Sequence, residues 1–545
     1  MKKLISVILV IAMLFAFTAC TITGDNNDAN KSQNADADLY AEYTAVPYAV
    51  GDEIYEEYIE LIEGEDLSEL KIGMILVGDE EEGYSLAHMT GIEKMCDLFG
   101  IDKETQLVYK KNIGESDECL DAAKELVDDD CTIIFANSFG HEAYILEAAE
   151  LYPEVQFCHA TGFQAASSGL ENVCNYFNNV YESRYISGIY AGYKLVEMME
   201  ENPETVVDGK ITIGYVGAYP YAEVVSGYTA FYLGVNSVLT AEAEEAEDVE
   251  DAEDVEDAED AEEPAESEEV VESEDAEPVE DEDKKADENE DKKADEDEDE
   301  KADEDEDEKA DEDEDEKADE DEDEKADDKE EAAEPVKLEM KVKFTGSWAD
   351  QALENDAANA LIAEGCVLIS QHADTTGAAS ACEAEGVYDV GYNVTMTEAA
   401  PNYAITSATL NWASYYSYAV ANFVAGNELE VDWSEGYATG AVKITEVNKA
   451  AFHKAETYNK AVEAANEAIE GIIDGTLHVF DISTWTVEGK TITSTKKKAY
   501  KDMYHGVQYI MEDNNGVKYF AESTIASAPA FAFDIDGIVK LTDVD

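Results

Sequence analysis

Residues 71–77, Lys-Ile-Gly-Met-Ile-Leu-Val, form a short, almost continuously apolar run that predicts a buried β-strand. An amphipathic pattern over residues 85–99 predicts the helix that follows this strand. The alternation then recurs, with strands predicted at 106–109, 132–136 and 155–159 and helices at 117–127 and 141–151. Strands that alternate with helices form a parallel sheet that is covered on both faces. This part of the chain is therefore predicted to be a doubly wound α/β lobe.

The same alternation begins again near residue 183, which predicts a second lobe. Its helices are predicted at 183–199 and 223–235, near 353–363 and near 378–384, and its strands at 211–216, 338–344, 367–370, 387–391 and 404–410. A further helix is predicted at 455–473, and the chain from there to Asp545 has a less regular pattern. The sequence thus predicts two doubly wound α/β lobes in series.

The charge of the chain excludes one broad class of function. The chain has 35 basic and 131 acidic residues, a net charge of −96, although 45% of its residues are hydrophobic and could form a large core. A phosphate backbone would be repelled by this charge, so general nucleic-acid binding is excluded. Phosphate and carboxylate ligands are usually held by arginine or lysine. Because Arg184 is the only arginine, we expect a neutral or cationic ligand, and we expect Arg184 itself to make a structural ion pair.

Residues 241–335 form an acidic, low-complexity tract with 59 acidic residues and 9 lysines. A lysine recurs every eight residues from Lys285 to Lys325, and the tract has almost no apolar residues other than Ala and Val. Such a segment cannot bury a core, so we predict that it is a disordered insert. Its insertion into a loop costs only about 3 kcal/mol of closure free energy. Diffuse attraction of cations is expected, but a defined calcium site is not, because the glycine of an EF-hand loop is missing.

No catalytic motif is present. The chain has no GxSxG, P-loop, GxGxxG or HExxH sequence, and its seven histidines are dispersed, so no enzyme activity, cofactor or metal site is predicted. Seven cysteines other than Cys20 are widely spaced and form no CxxC pair, which argues against zinc ribbons and thioredoxin-like chemistry. They are expected to be small buried side chains, although a disulfide between Cys158 and Cys174 is left open.

The N-terminus predicts export. Met1-Lys2-Lys3 is followed by an apolar run over residues 4–17, which is too short for a comfortable membrane span but fits a signal peptide. Phe17-Thr-Ala-Cys20 resembles a bacterial lipobox, so Cys20 is predicted to be lipidated and to anchor the protein to the outer face of the cell membrane. An ordinary signal peptide with a chance cysteine is the alternative.

Short motifs in a fixed order connect both lobes to a known family. The motifs are Phe135-Ala-Asn-Ser-Phe-Gly140, Tyr152-Pro-Glu-Val-Gln-Phe-Cys-His-Ala-Thr-Gly162, Arg184-Tyr-Ile-Ser-Gly-Ile-Tyr-Ala-Gly192, Gly214-Tyr-Val-Gly217, Pro220-x-x-Glu223, Gly346-Ser-Trp348, Gln371-His-x-Asp374 and Gly391-Tyr-Asn393. The ordered series runs from about Lys71 to Gly475 and is interrupted by the acidic tract. It resembles the basic membrane lipoprotein family, the substrate-binding subunits of ATP-binding cassette (ABC) importers.

The resemblance implies a type I periplasmic-binding-protein fold, in which two lobes joined by three crossovers close on a ligand. It implies the following organisation: a signal peptide (1–20), a tether and N-terminal extension (21–68), the first part of the N-terminal lobe (69–182), the first part of the C-terminal lobe (183–240), the acidic insert (241–335), the second part of the C-terminal lobe (336–409), a return to the N-terminal lobe (410–435), and completion of the C-terminal lobe with a tail (436–545).

The resemblance also implies a function. Known members of the family bind purine nucleosides, and the partners are an ABC permease and its ATPase. We therefore expect capture of a neutral purine base or nucleoside without catalysis. A surface lipoprotein of the same fold that senses a ligand and signals to another protein is the alternative, and an interaction protein that acts through its acidic tract is a third class.

Carried over position by position, the family implies a set of ligand-binding residues. They are Glu81, Tyr84, Phe139, Gly140, Tyr219, Trp348, Asp374, Asn393 and Trp412. Tyr84 and Trp348 would stack on a flat ligand, while Asp374 and Asn393 would hydrogen-bond to it. Trp412 has a structural role as its alternative. Thr395 replaces an acidic residue of the family, and a family lysine is absent near Trp412, which favours a free base or another flat neutral ligand over a nucleoside.

Overall fold

The protein is described here from a computed structural model that covers residues 42–259 and 335–541. The predicted signal peptide, Cys20 and most of the acidic tract lie outside these residues. Both lobes belong to one compact unit of the chain.

The first lobe is built around a six-stranded parallel sheet. Its elements up to residue 176 are α1 (Glu56–Leu61), β1 (Ile72–Ile75), α2 (Gly83–Phe99), α3 (Lys103–Gln106), β2 (Leu107–Lys110), α4 (Asp117–Asp128), β3 (Ile133–Ala136), α5 (Glu142–Leu151), β4 (Gln156–Ala160), α6 (Ala165–Ser168) and β5 (Val173–Tyr176). The Glu82 carboxylate caps α2 by accepting hydrogen bonds from the Tyr84 and Ser85 amides, and Gly100 ends this helix with a φ of 71°. The predicted first lobe is confirmed.

The second lobe follows from residue 180 and is built around a seven-stranded sheet. Its elements are α7 (Val180–Glu201), β6 (Lys210–Gly217), α8 (Ala222–Glu259), β7 (Lys337–Phe344), α9 (Gln351–Ala363), β8 (Leu368–Gln371), α10 (Gly377–Glu385), β9 (Tyr388–Tyr392) and β10 (Ala404–Leu410). The chain then returns to the first lobe with α11 (Trp412–Ala425) and β11 (Asp432–Trp433). The second lobe is then continued by β12 (Val442–Ile444) and α12 (Ala455–Asp474). After these, β13 (Ile510–Glu512) and β14 (Lys518–Phe520) form a separate antiparallel sheet, and β15 (Ile538–Lys540) joins the second sheet.

The strand orders show how the chain divides between the lobes. The first sheet has the order β11-β5-β4-β3-β1-β2 and the second has the order β12-β10-β9-β8-β6-β7-β15. All pairs in these two sheets are parallel except β10 with β12. The chain therefore passes between the lobes three times, after β5, after β10 and after β11, and these connections form the hinge.

Helix α8 differs from its predicted length. The pattern predicted a helix over residues 223–235, but α8 runs from Ala222 to Glu259 and so enters the tract that was expected to be disordered from residue 241. Alanine and glutamate, which are frequent there, favour helix, and Glu242 forms an ion pair of 3.5 Å with Lys460 of α12. The prediction of disorder for residues 260–334 lies outside the described residues.

Residues 42–62, which we call the N-terminal segment, pack against both lobes rather than forming only a polar tether. The Asn459 side chain of α12 accepts hydrogen bonds of 3.0 Å from the Thr44 and Ala45 amides. Farther along, Tyr55 is fully buried and hydrogen-bonded to Asn411, and α1 packs on α11. The segment therefore crosses the hinge from the second lobe to the first.

The chain after α12 forms a compact C-terminal extension (residues 476–541), where the sequence pattern was irregular. A cluster of aromatic side chains holds it together, with Phe480 and Phe531 stacked at 4.4 Å. Strand β15 adds to the second sheet beside β7. Ser527 donates a hydrogen bond of 3.2 Å from its amide to Asp432 of β11 in the first lobe. The extension thus also contacts both lobes.

The described cysteines are buried and free. Cys158 and Cys174 lie opposite each other on β4 and β5 with their sulfur atoms 3.4 Å apart, and they form no disulfide. None of the helices in residues 42–259 and 335–541 has the length and apolar character needed to cross a bilayer.

Candidate functional site

A cavity of about 410 Å³ lies between the lobes, and we call it the cleft cavity. Its walls come from the loops after the parallel strands of both sheets: Val77 follows β1, Asn137 follows β3, Tyr219 follows β6 and His372 follows β8. In open α/β sheets, ligands bind beyond the carboxyl ends of the strands. The position and size of the cavity are those of a small-molecule site, since such pockets measure about 300–1,000 Å³.

Aromatic rings line the cleft cavity from both sides. Tyr84 and Phe139 come from the first lobe, and Tyr219 and Trp348 come from the second. The Tyr84 hydroxyl donates a hydrogen bond of 2.8 Å to the Asn137 carbonyl, which fixes its ring. The Tyr219 and Trp348 rings lie 5.4 Å apart. At the mouth, Phe139 stacks on Tyr221 of the opposite lobe with ring centroids 5.9 Å apart.

The polar lining of the cleft cavity is acidic. Glu82, Glu223 and Asp374 line it, and no lysine or arginine is among the lining residues. Burial raises the pKa of the Asp374 carboxyl, and the neighbouring carboxylates of Glu82, Glu354 and Glu223 add to this effect. Burial likewise raises the pKa of Glu82. The cavity therefore offers hydrogen-bond acceptors and, at Asp374 and Glu82, carboxyl groups that hold a proton to a higher pH than usual. No lysine or arginine lines the cavity to attract an anion.

Arg184 lies beneath the cavity and is fully buried. It makes no ion pair within the described residues, contrary to the expectation from the sequence. Its Nη1 instead donates a hydrogen bond of 2.6 Å to the Gln371 carbonyl, and its guanidinium lies 3.7 Å from the centre of the Tyr392 ring. Burial, followed by the charge of Arg184, lowers the pKa of His372 to about 4, so His372 is neutral at pH 7. Arg184 therefore supports the floor of the cavity.

The two lobes touch directly at one side of the cavity. The Gly83 amide at the start of α2 donates a hydrogen bond of 3.1 Å to the Asp374 carbonyl of the second lobe. A Cβ atom added to Gly83 would lie 2.8 Å from this oxygen, which is too close. Glycine at this position therefore allows the lobes to meet.

The structure brings five of the nine predicted site residues together in the cleft cavity. They are Tyr84, Phe139, Tyr219, Trp348 and Asp374. The other four do not line it. Glu81 is exposed beside Glu82, which takes the expected place of the acid in the wall. The Gly140 amide faces away and donates a hydrogen bond of 2.8 Å to Glu115.

Asn393 and Trp412 have supporting positions. The Asn393 side chain donates a hydrogen bond of 2.7 Å to Asp374, and so it orients a residue of the wall. Trp412 is 1% exposed and stacks on His88 at 3.8 Å within the core of the first lobe. A large apolar ring at the start of α11 is favoured in this core, so Trp412 has the structural role that was its alternative.

Several residues that line the cleft cavity were not predicted from the sequence. They are Glu82, Asn112, Asn137, Glu223 and Tyr392. The motifs that indicated the family already contained Asn137, Glu223 and Tyr392. Their positions at or after the carboxyl ends of parallel strands were the available signal, with Tyr392 ending β9 and Glu223 in the first turn of α8. Asn112 lies in a loop without any recognisable pattern.

A second cavity, the hinge-side groove, has a volume of about 960 Å³. Residues of α2, the loop after β9 and the chain around β12 line it, and it contains five threonines. Its charged side chains are Lys94, Lys443, Lys449 and Glu446, and Trp412 is its single aromatic lining residue. Within the described residues, no group of three or more His, Cys, Asp or Glu side chains is arranged to hold a metal ion.

Comparison with known proteins identifies the family. The family model described as "ABC transporter substrate-binding protein PnrA-like" matches residues 70–267 and 332–474, which is more than half of the chain. The chain belongs to this family. The resemblance to the basic membrane lipoproteins and the type I periplasmic-binding-protein fold are thereby confirmed. This ABC transporter substrate-binding protein has its cleft cavity inside the matched region.

Relatives of this substrate-binding protein differ in their named ligands. A purine-binding protein of Brucella abortus is 23% identical over 348 residues, which cover 64% of this chain and 67% of the relative. A Haloferax volcanii protein, provisionally named as an ABC transporter glucose-binding protein, is 24% identical over 318 residues, which cover 58% of this chain and about half (52%) of the relative. Among solved structures, a solute-binding protein of an ABC transporter system from Conexibacter woesei is 13% identical, covers 75% of this chain and 98% of its own, and has a TM-score of 0.47.

Proposed function

We propose that this substrate-binding protein captures a neutral purine base or nucleoside in the cleft cavity and delivers it to an ABC permease and its ATPase. Lobe closure would hold the ligand between Tyr84 and Phe139 on one side and Tyr219 and Trp348 on the other. We further propose that lipidated Cys20 anchors the protein to the outer face of the cell membrane. The observation that carries the ligand proposal is a cavity lined by five aromatic side chains, including Tyr392, and three carboxyl groups, with no lysine or arginine in the lining.

The aromatic walls support a flat ligand. Stacking of a nucleobase on an aromatic side chain contributes about 1–3 kcal/mol per base, and every base offers two faces. Rings from both lobes can contact both faces only when the lobes are together, so such a ligand would favour the closed state. The Gly83–Asp374 hydrogen bond and the Phe139–Tyr221 stack are the contacts that join the lobes around it.

The carboxyl groups support a neutral ligand with N–H groups on its edge. Carboxylates accept hydrogen bonds, and a protonated carboxyl can also donate one. Asp374, whose pKa is raised by burial, can therefore pair with a ring edge that carries both a donor and an acceptor. A nucleotide phosphate would meet Glu82, Glu223 and Asp374 without any compensating lysine or arginine in the lining.

The position of Thr395 supports the preference for a free base. Thr395 lines the hinge-side groove and not the cleft cavity, so the position at which the family has an acid contributes no lining group here. A ribose would have to be held by other residues.

A ligand panel monitored by thermal unfolding and calorimetry tests the proposal. The panel contains adenine, hypoxanthine, adenosine, guanosine, AMP and glucose. A ligand at 1,000 times its Kd stabilises the folded state by about 4 kcal/mol. We expect a base or nucleoside to raise the melting temperature and AMP to leave it unchanged. A response to glucose alone, or to none of the purines at millimolar concentration, would overturn the purine assignment.

A further inference from the structure

The C-terminal extension contains a basic segment, residues 490–501, in a chain that is otherwise strongly acidic. The segment reads Lys-Thr-Ile-Thr-Ser-Thr-Lys-Lys-Lys-Ala-Tyr-Lys and has five lysines and no acidic residue. With 131 acidic residues in 545, a stretch of twelve residues would carry about three. The segment lies beyond residue 474, where the match to the family model ends. It is therefore a feature of this chain that solute capture does not explain.

The segment is held in place on the folded extension. Ile492 and Thr495 are buried, and the Thr495 hydroxyl donates a hydrogen bond of 2.6 Å to the Val507 carbonyl. The Tyr509 amide donates back to the same hydroxyl at 2.9 Å. Tyr500 packs edge-on against Phe533, with ring centroids 5.1 Å apart. These anchors present the lysines from a fixed loop.

Within residues 42–259 and 335–541, the lysines of the basic segment have no carboxylate partner. Lys496, Lys497, Lys498 and Lys501 are exposed, and within the part of the chain that the structure describes none of the five lysines forms an ion pair. The Lys497 ammonium donates a hydrogen bond of 3.0 Å to the Thr493 hydroxyl. Elsewhere in the described residues, twelve lysines do have a carboxylate within 4 Å. The segment therefore keeps its charge available for a partner.

Local charge decides what can approach this surface. Glu488 and Asp502 flank the segment in sequence, and the Asp536 carboxylate accepts hydrogen bonds from the Glu488 and Gly489 amides. Five lysines against these three acids leave a net local charge of +2. Charges more than about 8 Å away are largely screened at physiological ionic strength, so the more distant acidic residues do not cancel this local field. The acidic remainder of the surface would repel an anionic partner. Such a partner would therefore approach through the basic segment.

The residue types favour a lipid surface. Lysine is a point charge on a flexible stem, whereas defined phosphate or carboxylate ligands are usually gripped by the planar fork of arginine. Clusters of four to eight basic side chains bind anionic headgroups, at about 1 kcal/mol for each lysine. Met503, beside the segment, is 49% exposed and could insert its apolar side chain among the headgroups.

We infer that residues 490–501 form a docking surface for an anionic lipid bilayer and orient the protein on the membrane. The surface would act beside the proposed anchor at Cys20, but it does not depend on that anchor or on the ligand in the cleft cavity.

Vesicle sedimentation of the full chain carrying Cys20→Ser tests this inference without an acyl chain. Vesicles of equal phosphatidylglycerol and phosphatidylcholine are compared with pure phosphatidylcholine, with EDTA present so that divalent cations cannot link acidic residues to lipid. The ratio of the two partition coefficients isolates the effect of charge from that of the apolar N-terminal run. We expect this ratio to exceed ten in 50 mM salt and to fall towards one in 500 mM salt.

Two triple variants separate the basic segment from net charge. Lys496→Gln, Lys497→Gln and Lys498→Gln together should lower the ratio at least tenfold. The control triple of Lys103→Gln, Lys124→Gln and Lys454→Gln changes the net charge equally but removes lysines that already have carboxylate partners, so it should leave the ratio within twofold. Equal effects of the two triples would overturn the inference. Binding of soluble polyphosphate without binding to vesicles would also overturn it, because the partner would then be a dissolved polyanion.

Discussion

The cleft cavity and the hinge-side groove both lie where the two lobes meet, but they differ in size and in chemistry. The groove has more than twice the volume, at about 960 Å³ against about 410 Å³. Its walls are mainly threonine, small apolar residues and three lysines, whereas five aromatic side chains and three carboxyl groups line the cleft cavity. The convergent rings and perturbed carboxyl groups support the cleft cavity as the proposed ligand site, although the groove has the larger volume.

The largest effect is expected from a buried acid behind the cleft wall. Glu354 is fully buried and accepts a hydrogen bond of 3.1 Å from the Thr375 amide, next to Asp374. Burial raises the pKa of Glu354 from 4.5 to about 7. The unfolded chain releases this proton first as the pH rises, so the folded state loses stability between about pH 4.5 and pH 7, by up to about 3 kcal/mol. Glu354→Gln should reduce this loss, which urea unfolding at pH 4.5, 6 and 8 measures.

Glu364→Gln is the matched control for this acid. Glu364 follows the same helix, is exposed, and pairs with Lys341 at the surface. Its replacement should shift stability by less than about 1 kcal/mol at each pH. If the two variants showed the same pH profile as the unmodified chain, Glu354 would not titrate in this window, and the acidic character of the cleft wall would be weaker than described.

The next largest effect is expected on purine affinity, which substitutions in the cleft cavity and in the hinge-side groove should change to different extents. Trp348→Ala removes a ring from the cleft cavity and should cost about 2 kcal/mol of purine binding, a rise in Kd of roughly thirtyfold. Trp348→Phe keeps a ring and should recover most of the affinity. Lys443→Ala alters the hinge-side groove and should change Kd less than twofold. Calorimetry with the purine that binds best provides the measurement, and a larger loss for Lys443→Ala would reverse the assignment of the two cavities.

A smaller effect is expected at the contact between the lobes. Gly83→Ala places a methyl group where only 2.8 Å separates it from the Asp374 carbonyl, so the lobes would be held slightly apart. We expect about a tenfold weaker purine affinity, with the melting temperature of the unliganded chain unchanged. Gly114→Ala is the control, because its added Cβ meets only the movable carboxylate of Glu118 and the Ser116 hydroxyl. A normal affinity for Gly83→Ala would mean that this contact is not needed for binding.

The smallest effect is expected from excision of residues 260–333. The lining residues of both cavities lie outside this range. We therefore expect the Kd for the purine to change less than twofold. The excision keeps residues 241–245, because Glu242 pairs with Lys460. A tenfold loss of affinity would show that the acidic tract takes part in ligand capture.

Much of the fold could be predicted from hydrophobic patterning, because buried parallel strands are short apolar runs and the helices between them are amphipathic. The runs at 71–77 and 132–136 therefore indicated β1 and β3 closely. The length of α8 was predicted poorly, because amino-acid composition and not hydrophobic patterning determines where this helix ends. Alanine and glutamate continue α8 beyond residue 241, although the same residues give a segment its disordered composition.

The site could be predicted only in part. Aromatic residues after strands were informative, since Tyr219 and Trp348 must lie at the carboxyl edge of a parallel sheet. The choice between Glu81 and Glu82 depends on which carboxylate caps α2. Sequence patterning cannot decide which of two adjacent loop residues does so. Trp412 shows the same limit, because a ring at a crossover can face either the cleft or the core.

The two ends of the chain restrict how far the halves of the molecule can separate. The N-terminal segment holds α12 through Asn466, which accepts from the Tyr48 amide at 2.8 Å, and it reaches α11 with Tyr58, whose ring lies 6.3 Å from that of Tyr418. The Ser527–Asp432 hydrogen bond makes a similar link from the C-terminal extension. A wide opening of the cleft would break both links, whereas a small relative rotation of the lobes would preserve them. A flat molecule that enters edge-on would need only this small rotation, so we expect the two links to disfavour thick ligands.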